Sequence, residues 1–134
     1  MPPMKMHHEK DPKELIFEKI GDLSTVGVTF SQVLLGIYER PSTMQLPSGE
    51  ILHIADQTRE EDGFQGKAAL VLKLGPLAFK DTAEVDFQGF KVEVGQWVVL
   101  RPSDGWPVSI HGVKCRMISD TAIRMVIAEP DDVW

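Results

Sequence analysis

Apolar residues in this chain come in short runs, and glycine or proline ends most of them. "QVLLGIYER" (32–40) stops at Pro41. "QGKAALVLKLG" (65–75) is bounded by glycines, and strict alternation puts Leu70, Leu72 and Leu74 on one face of a strand. "VEVGQWVVLR" (92–101) stops at Pro102, "WPVSIHGVKCRMI" (106–118) reads as a hairpin turning at His111-Gly112, and "TAIRMVIAE" (121–129) reads as a last strand. Short strands joined by Gly/Pro turns predict a small all-β domain, a barrel or a sandwich. One segment has a different period. Asp11 is placed to cap a helix, Pro12 suits its first position, Glu14 stands at capping-box spacing, and Gly21 ends the run. The spacing predicts a helix over 12–20 with Leu15, Ile16 and Ile20 on its buried side.

Two stretches interrupt this pattern. "LPSGEILHIADQTREED" (46–62) sets Ile51, Leu52 and Ile54 between Pro47, Gly49 and the acidic run Glu60-Glu61-Asp62. Proline, glycine and clustered acids belong to solvated loops. An apolar knot there is either a short strand or plug of the same domain, or a contact for a partner. The second stretch, "GPLAFKDTAEVDFQGFK" (75–91), is long and rich in phenylalanine. Residues 1–10 read as a loose arm.

Composition narrows the class. The chain has 134 residues, 43% of them hydrophobic and 25% charged, enough for one domain with its own core. A net charge of −6, with the basic residues scattered, argues against a duplex-binding surface. Cys115 is the only cysteine, so no internal disulfide can form, which fits a reducing compartment. No apolar run reaches membrane-spanning length, and "MPPMKMHHEKDPKEL" lacks the apolar stretch of a signal peptide. A cytoplasmic protein, or one assembled there, is the simplest reading.

Candidate chemistry is sparse. His7 and His8 have no cysteine or carboxylate at ligand spacing. Gly63-Phe64-Gln65-Gly66 lacks the Lys-Ser/Thr of a phosphate loop. Cys115 and His111 are the nearest approach to a nucleophile and base, but a cysteine in an apolar strand is ordinarily a core residue. The carboxylates at 60–62 read as solvated, and Asp104 beside Gly105 reads as turn chemistry. Trp97 is a core candidate and Trp106 a turn-packing one. No catalytic residue, metal or cofactor is assigned, and a non-enzymatic binding or assembly module is expected.

The order of segments resembles the co-chaperonin (GroES) family, the lids of GroEL-type chaperonins, over about residues 32–128. "QVLLGIYERP" is similar to the family's first strand, and "SGEILHIAD" to its mobile loop, with a Gly-Gly-apolar-apolar-apolar motif. "QGKAALVLKLG" resembles the strand after the loop, and "VEVGQWVVL" the family's V-x-V-G-D-x-V strand. "SDGWPVSIHG" stands where the family has Gly-Tyr-Gly, and "TAIRMVIAE" resembles its terminal strand. The chain departs from the pattern at Gly49-Glu50 for the glycine pair, at His53 in the third apolar position, and in the enlarged 75–91 segment at the family's roof hairpin. The first 30 residues and the tail "PDDVW" lie outside the short form and resemble extended versions in tailed phages.

The resemblance implies a GroES-like antiparallel β-barrel over 31–129, preceded by an arm and helix (1–30) and followed by a tail (130–134). It implies a homo-oligomer in the host cytoplasm that caps a GroEL-type chaperonin and assists folding, of phage capsid protein among others, with no nucleotide of its own. Gly49 would permit the bend of the docking loop, and Ile51, Leu52, His53 and Ile54 would dock. Leu34, Ile37, Ile123 and Val126 would lie at the seam between subunits. Trp134 is either a frayed end or an anchor in a neighbour. The alternative is a virion structural protein with the same fold that decorates or cements a capsid, with the loop and both termini fixed against neighbours.

Overall fold

The computed structural model describes residues 5–6, 10–39, 43–45, 50–53 and 67–133, with the backbone alone for 5–6, 43–45 and 51–53. Its elements are β1 (Lys5–Met6), α1 (Pro12–Ile20), β2 (Gln32–Ile37), β3 (Thr43–Gln45), β4 (Ile51–His53), β5 (Ala68–Leu74), β6 (Trp97–Val99), β7 (Trp106–Ile110), β8 (Val113–Ser119) and β9 (Met125–Ile127). They form a six-stranded sheet in the order β7-β8-β2-β5-β6-β9 and a three-stranded sheet in the order β1-β3-β4. Every strand pair is antiparallel. The mainly antiparallel β architecture with one short helix is as the sequence predicts. The larger sheet is open, with β7 and β9 at its ends.

Helix α1 occupies the expected residues. Asp11 accepts from the Lys13 backbone N–H at 3.0 Å, Pro12 fills the first turn, and the Gly21 N–H closes on the Phe17 carbonyl at 3.0 Å. Its buried side differs from the expectation. Ile16, Phe17 and Ile20 pack on the sheet, while Leu15 is exposed. Each helical residue turns about 100° from the last, so a stripe through 16, 17 and 20 leaves 15 on the far side.

The six-stranded sheet buries both faces. One cluster holds Leu34, Tyr38, Leu70, Leu72, Trp97, Val113 and Cys115, covered by α1 and by Leu23, Val26 and Val28. The other holds Val33, Leu35, Ile37, Ala69, Val71, Val98 and Ile118, covered by Ala78, Phe79, Val92 and Ile123. Successive residues of β2 and β5 serve alternate clusters, as strand geometry requires. A bulge interrupts β5: Leu34 lies opposite Lys73 and Leu35 opposite Val71, so Leu72 is the extra residue. Leu72 and Lys73 therefore both stand on the helix side, where the Lys73 ammonium donates to the Leu23 and Val26 carbonyls. Leu74 is shifted to the opposite cluster, which corrects the reading of Leu70, Leu72 and Leu74 as one face.

The 75–91 segment forms no strand or helix and is held by side chain-to-backbone bonds. Asp81 accepts from the Phe87 N–H at 2.7 Å, and Phe79 packs edge-on against Phe87 and Phe90. Phe79 has a positive φ of 60°, and its N–H donates to the buried Asp120 carboxylate at 3.0 Å. Trp97 is in the core, edge-on to Tyr38 with ring centroids 5.7 Å apart. Trp106 does not pack in a turn; it lies on edge strand β7 and is 59% exposed.

Candidate docking site

Two of the three apolar residues of the long loop, Ile51 and Leu52, lie on a strand. Ile51, Leu52 and His53 make up β4, paired with β3 in the register Gln45–Ile51, Met44–Leu52 and Thr43–His53. The far side of β3 is taken by the N-terminal arm, with Lys5 opposite Gln45 and Met6 opposite Met44. Two rows therefore cross all three strands: Lys5-Gln45-Ile51 and Met6-Met44-Leu52. Residues opposite one another in a ladder share a face of the sheet, so the second row is apolar throughout. Among the described residues β4 pairs with β3 alone, which leaves its outer edge without a strand partner. Gly49 and Ile54 lie outside the described residues, as do His7, His8 and the carboxylates at 60–62. The arm, expected to be loose, supplies a strand at Lys5–Met6.

Sequence reasoning missed β1 and β3. The only signal was the alternation Lys5-Met6-His7 and Thr43-Met44-Gln45. Two or three residues of alternation are too few to establish a period.

The proposed seam divides. Leu34, Ile37 and Ile123 are 1%, 3% and 4% exposed and spend their side chains in the core of their own chain. This burial corrects their assignment to an oligomer interface. Strand β2 is also central, flanked by β5 and β8, and not an edge. Of the four seam positions only Val126 offers surface, at 41% exposed on edge strand β9 beside the exposed Met125. Trp134 lies outside the described residues.

The possible nucleophile–base pair is committed elsewhere. His111 and Gly112, with φ of 50° and 80°, form the tight turn between β7 and β8, the two-residue hairpin loop the sequence predicts. The His111 Nδ1 meets the Ile20 carbonyl at the end of α1, so that nitrogen donates and ties the turn to the helix. Cys115 is buried in β8, with its Sγ 3.4 Å from the Val113 carbonyl. Burial pushes its thiol up to about 11, away from a reactive thiolate.

Asp104 is turn chemistry, as expected. It accepts from the Arg101 backbone N–H and forms an ion pair with the guanidinium at 3.0 Å, and Arg101 holds its carboxyl below the usual carboxylate range. Asp22 is likewise lowered, chiefly by the backbone and side chain of Ser24. Among the described residues no cluster of His, Cys, Asp and Glu is arranged to hold a metal ion, and no helix is long and apolar enough to cross a membrane. No protein-family model matches the chain, and no characterised protein matches it.

Proposed function

We propose that the chain is a non-enzymatic co-chaperonin-like subunit, which forms a homo-oligomer and caps a GroEL-type chaperonin through the hairpin carrying Ile51, Leu52 and His53. The observation that carries this reading is the position of the loop's apolar residues. Ile51 and Leu52 lie on an outer strand of a small sheet that pairs with nothing in the larger one among the described residues. On this reading the open six-stranded sheet is the body of a GroES-like barrel, with β7 and β9 as the edges it offers to neighbouring subunits. No cofactor is needed; nucleotide belongs to the chaperonin.

Energetics favour a hairpin over a slack loop. Burying one Ile or Leu contributes about 1.5–3 kcal/mol, while ordering backbone costs about 1–2 kcal/mol per residue. A loop already paired as a strand has met part of that cost before it docks. Several identical hairpins on one ring then act at high effective concentration, so weak contacts add to a firm but releasable lid.

The test is co-sedimentation with a GroEL-type chaperonin and ATP, with an Ile51→Ser/Leu52→Ser variant alongside. The wild type is expected in the chaperonin fraction and the variant outside it. A wild type that stays outside sinks the lid reading. A second reading, a virion structural protein that decorates or cements a phage capsid, is favoured by one observation: the N-terminal arm is laced into the same sheet, as a fixed contact element requires. That role predicts the chain on mature capsids.

A further inference from the structure

We infer that the N-terminal arm is a strap in cis that holds the 43–53 hairpin in its docking form. Without β1, β3 and β4 would be a two-stranded ribbon of three residues per strand. Isolated two-stranded hairpins are marginal in water, and a third strand is what ordinarily gives a sheet independent stability. Strand β1 supplies that third strand, and it supplies Met6 to the apolar row Met6-Met44-Leu52.

The strap is anchored at its other end. Met6 is four residues before Lys10, a reach of at most about 14 Å in extended chain. Lys10 is ion-paired with Glu18, in the last turn of α1. Helix α1 is in turn fixed to the six-stranded sheet by Ile16, Phe17 and Ile20, and by the contact of His111 with the Ile20 carbonyl. The large core therefore reaches the hairpin through the arm as well as through the chain on either side of it. The strap itself depends only on this geometry. Its consequence, that the arm sets how readily the hairpin docks, rests on the function proposed above.

Register makes the test sharp. Lys5 is opposite Gln45, and Ile51 is opposite Gln45 on the other side. Neighbouring strands are about 4.8 Å apart, so positions 5 and 51 are separated by two spacings, about 9.6 Å. A disulfide needs Cα atoms closer than about 7 Å. In the full chain, Lys5→Cys/Gln45→Cys is expected to form an intrachain 5–45 link under mild oxidation, read by peptide mapping. Lys5→Cys/Ile51→Cys is expected to form none. The buried Cys115 does not compete. In parallel, Lys5→Pro/Met6→Pro removes both backbone donors of β1. Amide exchange at 43–45 and 51–53 is expected to speed up by about tenfold, as a marginal hairpin loses its third strand, while β2 and β5 stay protected.

Failure of the 5–45 link, equal linking of both pairs, or unchanged exchange in the proline variant each overturns the strap. The link and the exchange result together establish it, whatever the chaperonin assay gives. If they hold and the wild type still does not sediment with a chaperonin, the strap survives and the lid reading falls.

Discussion

Cys115 is a core residue, as its place in an apolar strand predicts. In sequence it stands four positions from His111, a spacing open to a nucleophile and its base. In the fold, the imidazole is turned to the Ile20 carbonyl, and the thiol is buried in the cluster that also holds Leu34 and Tyr38. Burial raises the thiol from its ordinary 9.0 to about 11. Below pH 9 both folded and unfolded chains keep this proton, and the group adds no pH dependence. Between pH 9 and 11 the unfolded chain releases it first, so stability falls through that window and the loss levels off above it. The urea midpoint of the wild type is therefore expected to drop more between pH 8 and pH 10.5 than that of Cys115→Ala. A thiol reagent at pH 8 is expected to label the folded chain no faster than it unfolds. Fast labelling of the native protein would show the thiol to be accessible and reopen the pairing with His111.

At the scale of elements, period was readable and order was not. The helix over 12–20, the strands at 32–37, 68–74 and 97–99, and the hairpin turning at His111-Gly112 all follow from local patterns and turn residues. Whether a strand is central or at an edge depends on pairings across tens of residues. So β2, apolar along its length and with Leu34 and Ile37 expected at the subunit seam, lies between β5 and β8. Its unbroken burial is the mark of a strand covered on both faces. The bulge at Leu72 was equally hidden, because one extra residue leaves no compositional trace. Gly36 is a clearer case of sequence serving packing. A Cβ there would sit 3.1 Å from the Leu72 Cδ1 and 3.2 Å from the Ile16 Cγ2, so the glycine lets α1 close on β2. An alanine displaces only flexible side-chain ends and regains strand rigidity, and is expected to be near neutral. Gly36→Val forces its branches under the helix and is expected to cost about 1–3 kcal/mol in urea unfolding. The α1 amides are expected to lose more protection than those of β5. Equal stability of the two variants would mean that α1 is not seated on Gly36.

For the whole molecule, the open question in the sheet is its free ends. Among the described residues, strands β7 and β9 each have one neighbour, and an unpaired edge is a template for another chain. Of the two, β9 carries Met125 and Val126 exposed, and it is the one part of the expected subunit seam that the core has not consumed. A lid that works by summed weak contacts depends on self-association, because a lone hairpin loses the gain in effective concentration. Met125→Lys/Val126→Lys places two charges on that edge without touching either hydrophobic cluster. Charged side chains are a common means of blocking edge pairing. The variant is expected to keep the wild-type circular dichroism and to sediment as a monomer where the wild type sediments as a larger species. It is also expected to leave the chaperonin fraction although its hairpin is intact, which separates loss of the ring from loss of the docking residues. If the variant remains associated, β9 is not the seam. The opposite edge, where Trp106 stands 59% exposed on β7, then becomes the surface to charge in the same way.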